Sequence, residues 1–359
     1  MSQVPLPKVS PLKVALIGYG FVGKTFHAPL IAATQGLELT VIASSDSQKV
    51  HHDYPDVEVI ASPEQAVTHP DIDIVVIASP NSTHAPLAKR ALLANKHVIV
   101  DKPFTLDLAE ARELIQVADH QQRFLSVFHN RRWDSDYLVI KHAIEAGKIG
   151  EVAQFESHID RFRPEVRDRW REHAQPGSGL WFDIGPHLVD QALQLFGLPD
   201  TVDGNISLLR QGAKIDDWAH VVLNYPKHRV ILHCSMLAAG GSLRFVVHGH
   251  AGSLVKREAD QQEAQLVSGL RPGSSEWGKD GDELIHYSAQ GEATYLPTPA
   301  GDQSRYYQGI VDALSPGGKN PVTPVEALAV MAVIEAAVKA SQSGARQSLA
   351  LTAEEVAQF

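Results

Sequence analysis

From Leu12 onward, short runs of β-branched residues alternate with longer stretches in which apolar positions recur every three or four residues. The short runs read as buried strands over residues 13–17, 39–43, 74–78, 97–100 and 124–127, with helices between them that include 84–94 and 108–120. Strands apolar on both faces and separated by helices build a parallel sheet with crossovers, so the first half is expected to be a doubly wound α/β layer.

Near Asn130 the rhythm changes. After a helical pattern over about 134–146, residues 151–159 alternate in polarity, as a strand with one solvated face does. Strand-like runs at 203–209, 218–224, 230–235 and 242–248 then arrive without regular helices between them, the pattern of a mostly antiparallel sheet. Residues 270–282, rich in Gly and Ser, read as a surface loop, and helical patterns at 303–314 and 324–341 follow. The second of these starts with Thr323 as N-cap and Pro324 at the first helical position. Two domains are expected, residues 1–131 and 132–359.

Composition narrows the function classes. With 359 residues, 44% of them hydrophobic, the chain has the apolar material for two cores, which excludes global disorder. Against 32 Lys and Arg stand 42 Asp and Glu, a formal charge of -10, the wrong sign for a broad nucleic-acid surface. The single cysteine, Cys234, allows neither an intramolecular disulfide nor a Cys-x-x-Cys metal knuckle, so no metal site is expected and a reducing compartment fits. The N-terminal stretch lacks a signal-peptide core, and no apolar run reaches about 18 residues, so a cytoplasmic protein without a membrane partner is expected.

Gly18-Tyr19-Gly20-Phe21-Val22-Gly23 follows the first strand at once and opens a helix. The first glycine permits a tight turn, the second lets backbone approach a pyrophosphate, and the third lets helix pack on strand; the N–H groups left over point at phosphates. The place of the ribose reader, at the end of the second strand, holds Ser44, Ser45 and Asp46, with Lys49 one turn later. Two hydroxyls beside a cation can donate to a 2′-phosphate, so the pattern leans to NADP; Asp46 reaching a ribose hydroxyl, as NAD requires, stays open.

Three clusters stand where the third, fourth and fifth strands end, which is the ligand edge of such a sheet: Ser79-Pro80-Asn81 with His84, Asp101-Lys102-Pro103, and residues 129–133 beginning at His129. Each alone is ordinary turn or helix-start chemistry, but three at successive strand ends form a pattern. A fourth cluster, residues 177–187, places Asp183 and His187 at i and i+4, one helix face, where a carboxylate can orient an imidazole as an acid/base pair. A buried histidine capped by an aspartate is the bland reading of the same spacing.

The glycine motif, Ser79-Pro80-Asn81, Asp101-Lys102-Pro103 and Asp183-x-x-x-His187 together resemble the motif set of the glucose–fructose oxidoreductase / inositol dehydrogenase / MocA family. Residues 129–134, 161–166 and 169–172 resemble more narrowly its NADP-dependent scyllo-inositol dehydrogenase branch. The resemblance implies a Rossmann domain, an α/β domain with an open, mostly antiparallel sheet that mediates dimers or tetramers, and dehydrogenation of a sugar or polyol hydroxyl. It also implies roles: His187 as acid/base, Asp183 orienting it, and Lys102 between cofactor and substrate. Asn81 and His84 fall near the nicotinamide ribose, and His129, Arg163, Trp170 and Arg171 on the substrate side. Asp101 departs from the family's commoner Glu and shifts that carboxylate by about one methylene. Two rivals share the glycine motif: a relative acting on a dihydrodiol or tetrapyrrole carbonyl, and a dinucleotide-sensing regulator without chemistry.

Overall fold

Val14, Ala15, Leu16 and Ile17 are all fully buried because the strand they form, β1 (Leu12–Ile17), has neighbours on both edges and helices over both faces. It lies in a six-stranded sheet with β2 (Leu37–Ala43), β3 (Glu58–Ile60), β4 (Ile74–Ile77), β5 (His97–Val100) and β6 (Leu125–Val127), in the order β3-β2-β1-β4-β5-β6. All its pairings are parallel. This is the doubly wound dinucleotide-binding order, with the reversal between β1 and β4 where a ligand crevice opens. The molecule is a computed structural model describing residues 10–168 and 172–359.

Helices α1 (Ala28–Ala33), α2 (Ser47–Asp53), α3 (Pro63–Ala66), α4 (His84–Leu93) and α5 (Leu108–Gln121) make the crossovers. A π-helical turn over Gly23–His27 leads from the glycine motif into α1. Asp46, Ser62 and Asp107 cap α2, α3 and α5 through side-chain oxygens, which satisfies donors that a helix N-terminus leaves over.

Beyond α6 (Ser135–Glu145) stands the second sheet: β7 (Val152–Asp160), β8 (Thr201–Ser207), β9 (Trp218–Asn224), β10 (Arg229–Ser235), β11 (Phe245–Gly249), β12 (Gly252–Lys256), β13 (Leu284–Ser288) and β14 (Ala293–Leu296). Its order is β14-β13-β12-β11-β7-β10-β9-β8, antiparallel throughout except for the parallel pair β7 and β10. The long helices α7 (Leu180–Phe196) and α10 (Pro324–Ser343) supply apolar side chains to its core. Helices α8 (Gln262–Val267), α9 (Ser304–Ala313) and α11 (Ala353–Gln358) complete the chain.

Helix α10 is apolar on nearly every side, as a helix buried between two bodies must be. Leu328 and Met331 enter the core of the first sheet, while Val330, Val333 and Ile334 enter the core of the second. Arg132, just after β6, binds both Asp190 of α7 at 2.7 Å and Glu326 of α10 at 3.3 Å, an ion network at the same junction. Residues 270–282 hold no helix or strand, as expected. The sequence pattern predicts no strand at β3, β12, β13 or β14: β3 is three residues long, and β14 is mostly exposed, so neither carries an apolar pattern.

Candidate active site

Two hollows meet at the C-terminal edge of the first sheet. The first is lined by Gly18, Gly20, Phe21, Val22, Ser44, Ser45, Lys49, Ser79, Asn81 and Asp101. The glycines there differ in what they do. A Cβ on Gly18, whose φ is +104°, would lie 2.7 Å from the Ala78 carbonyl oxygen, and one on Gly23 would strike the Gly18 carbonyl. A Cβ on Gly20 would meet no protein atom and would stand in the hollow itself. The turn is therefore built so that backbone at Gly20 can be approached by something outside the chain, as a pyrophosphate requires. At the far end, Asp46 caps α2 by accepting the Lys49 N–H at Oδ1, 3.0 Å away, and itself lines the hollow together with Ser44, Ser45 and Lys49. Lys49 Nζ donates to the Tyr19 carbonyl at 2.9 Å, which holds its charge beside the glycine turn. These residues fit a dinucleotide.

The second hollow, a cleft of about 340 Å³, shares Phe21, Val22 and Asp101 with the first and adds Lys102, Phe128, Arg131, Arg161, Arg163, Arg167, Asp183, His187 and Glu263. It is large enough for a six-membered ring. Lys102, at the end of β5, crosses to α7: Nζ donates to Asp183 Oδ1 at 3.0 Å and to the Asp183 carbonyl at 2.7 Å. One turn on, His187 is 7% exposed, with Nδ1 buried and lacking a hydrogen-bond partner among the described residues. Burial, and then the positive charges of Lys102 and Arg131, hold its imidazole well below its ordinary pKa, so it is neutral at pH 7.

Asp101 sits between the hollows. Burial alone would raise its carboxyl, but His27, Lys102 and His84 outweigh this and hold it below its ordinary pKa. His27 Nε2 lies 3.8 Å from Asp101 Oδ1, an electrostatic contact rather than a hydrogen bond, while its Nδ1 lies 2.6 Å from the Tyr307 hydroxyl. Asn81 ties the two bodies together, donating to the Gly177 carbonyl at 2.7 Å just ahead of α7. Asp216 holds the start of α7 by accepting the Trp181 N–H at 2.7 Å, and burial pushes its carboxyl up to about 6.

Three sequence expectations change. The Asp183 carboxylate takes the Lys102 ammonium, and no hydrogen bond joins it to His187 among the described residues, because the lysine from the first sheet reaches it across the cleft. His84, expected beside the cofactor, is buried with Nδ1 2.9 Å from the Pro103 carbonyl and Nε2 3.0 Å from the Ser79 carbonyl; it braces two strand-end loops. His129, expected on the substrate side, is 2% exposed, since a tight turn closed by its N–H on the Val127 carbonyl swings it inward and leaves Phe128 at the cleft. Arg163 does line the cleft; Trp170 and Arg171 lie outside the described residues. Sequence reasoning missed Glu263, on α8 and distant in the chain, for which no local motif exists.

Residues 12–129 match the family model described as the NAD-binding Rossmann fold of an oxidoreductase family, and 141–349 match that family's C-terminal alpha/beta domain. The chain is 51% identical over 343 residues to the uncharacterized oxidoreductase YdgJ of Escherichia coli, covering 94% of this chain and 99% of that protein. It is 34% identical over 341 residues to the scyllo-inositol 2-dehydrogenase (NADP(+)) IolW of Bacillus subtilis, covering 93% and 95%. A crystal structure of an oxidoreductase from Klebsiella pneumoniae superposes with a TM-score of 0.93 at 62% identity, covering 98% of each chain.

Proposed function

From the premise that this chain belongs to the glucose–fructose oxidoreductase / inositol dehydrogenase / MocA oxidoreductase family, we propose a hydride transfer at the carbinol carbon of a cyclic polyol or sugar, with NADP preferred to NAD. The observation that carries this reading is the shared wall of the two hollows: Asp101 lines both, and Lys102, Asp183 and His187 stand beside it in the smaller one. Bound nicotinamide supplies the carbon that takes or gives the hydride.

The chain supplies position and charge. Gly18, Gly20 and Gly23 shape the phosphate turn, and Ser44, Ser45 and Lys49 receive the 2′-phosphate. Neutral His187 accepts the hydroxyl proton at Nε2 as the C–H bond breaks. Lys102, held at its tip by Asp183, favours alkoxide character on the same oxygen. Residues 1–131 carry the dinucleotide and 132–359 the substrate. The uncovered face of the second sheet, where Trp218, His220 and His233 stand ring against ring, is where a homodimer or homotetramer would form. The lone thiol of Cys234, fully buried, suits a cytoplasmic setting. A screen of polyols and aldoses, followed at the nicotinamide absorbance with each cofactor, tests the reading. Turnover of a cyclic polyol or aldose supports it; absence of turnover across the panel overturns it.

A further inference from the structure

After β7 the chain runs along the rim of the cleft as an extended edge. The Arg161 N–H bonds to the Ser235 carbonyl at 2.8 Å, the Arg163 N–H to the Met236 carbonyl at 2.7 Å, and the Ala238 N–H returns to the Arg161 carbonyl at 3.1 Å. Extended backbone sends alternate side chains to opposite sides. Phe162 accordingly points away, 57% exposed, while Arg161 and Arg163 both line the cleft, with Arg167 joining them one loop later. The edge is braced from behind. Buried Arg210, paired with Glu172 and Asp217, donates to the carbonyls of Arg163 and Glu165 at 3.2 Å each.

The charges in the cleft do not cancel. Of the five cations among its described lining residues, Lys102 is answered by Asp183, Arg131 by Asp134 and Glu263, and Arg163 is engaged in a contact of its own. Asp101, the third lining carboxylate, receives the Lys102 backbone N–H at 2.8 Å. Among the described residues, the Arg161 and Arg167 side chains enter no hydrogen bond or ion pair. Of the neighbouring carboxylates, Asp160 accepts from Ser242 and Asp168 meets His173. The phosphates of a dinucleotide have their own cradle in the other hollow, so they do not account for this charge. Like charges gathered in a concave site repel unless a counter-charge arrives, and here they do so on a chain of formal charge -10.

We propose that the substrate is an anionic polyol or sugar, its carboxylate or phosphate monoester held by Arg161 and Arg167 while its carbinol carbon faces Lys102 and His187. Guanidinium groups suit this because each offers a planar fork of donors matched to two oxygens of either anion. The inference rests on the dehydrogenase reading above and narrows its substrate.

The test compares matched pairs on the full-length protein: myo-inositol with myo-inositol 1-phosphate, and glucose with glucose 6-phosphate and with glucuronate. kcat/KM is measured with NADP, and binding to the cofactor-loaded protein by calorimetry. The anionic member of a pair is expected to be favoured at least about tenfold, with the preference shrinking as salt rises. The phosphate and carboxylate arms distinguish the two anions. The double variant Arg161→Gln/Arg167→Gln should cut the anionic-to-neutral ratio by roughly tenfold, and Arg161→Lys/Arg167→Lys should restore part of it. Equal or better use of the neutral members, or a ratio unmoved by the double Gln variant, overturns the proposal and leaves the dehydrogenase reading intact. Calorimetric binding of an anionic member that depends on these arginines, with no turnover of any carbinol offered, supports the anion site and overturns that reading instead. No binding of any anionic member overturns the proposal.

Discussion

Lys102 and Asp183 come from different sheets and 81 positions apart in the chain, yet Lys102 Nζ donates to both the side chain and the carbonyl of Asp183, at 3.0 and 2.7 Å. The aspartate that the i, i+4 spacing offers to His187 is thereby given to a lysine. In the proposed reaction its role becomes that of aiming an ammonium, and His187 would work without a hydrogen-bonded carboxylate to stabilise its charged form.

Lys102→Ala is expected to lower kcat and raise KM together, by roughly a hundredfold in kcat/KM, since the proposed reaction sets the residue between both reacting partners. Asp183→Asn keeps an oxygen for Nζ, and the carbonyl contact remains, so the loss should be smaller and confined largely to kcat. Steady-state kinetics on the best substrate found decides; equal losses for the two variants would contradict the assigned roles.

His187→Ala should reduce kcat by about 10²–10⁴-fold while cofactor affinity changes only a few-fold. Because burial and the nearby cations hold the imidazole well below its ordinary pKa of 6.5, its basic form persists as pH falls through 6.5. The acid limb of kcat/KM for alcohol oxidation therefore lies below pH 6.5. Lys102→Met removes one of those cations, so the remaining activity should show an acid limb moved to higher pH.

Gly20 and Gly23 should respond oppositely. Gly20→Val places its side chain in the open hollow, so the fold survives and dinucleotide binding is lost in a calorimetric titration. Gly23→Ala drives a Cβ into the Gly18 backbone, which cannot yield, and lowers the midpoint of thermal unfolding even without cofactor.

Ser44→Asp should weaken NADPH binding roughly tenfold more than NADH binding, because it sets a negative charge where a 2′-phosphate would lie. A wild-type kcat/KM that favours NADH by about tenfold would overturn the NADP preference.

Asp216 titrates near 6 in the folded chain against 3.8 as its ordinary value, so its folded pKa is the raised one. Ionisation then costs the fold stability as pH rises from about 4 through 6, and above that the loss is complete. Asp216→Asn keeps an oxygen for the Trp181 N–H without the charge, and should stabilise by on the order of 1–2 kcal/mol at pH 8 and little at pH 4. Urea unfolding at the two pH values measures the difference.

What the sequence by itself determined is whatever local rules control. Five of six strands in the first sheet follow from apolar runs, because a strand covered on both faces needs no alternation. The phosphate turn follows from glycine spacing, because the steric demands are met within six residues. The start of α10 follows from Thr323-Pro324, and in the structure Thr323 closes a capping box with Glu326. Tertiary structure decided everything that depends on a partner distant in the chain. Whether Asp183 serves His187 or Lys102 turned on where β5 ends relative to α7. The strand-end histidines His84 and His129 left the site because neighbouring loops enclosed them. The arginines at 161 and 163 became one charged edge only when β10 and the residues after it pinned their backbone in an extended line. A side chain's type and spacing are local facts, but its partner, its burial and hence its protonation are set by what packs against it.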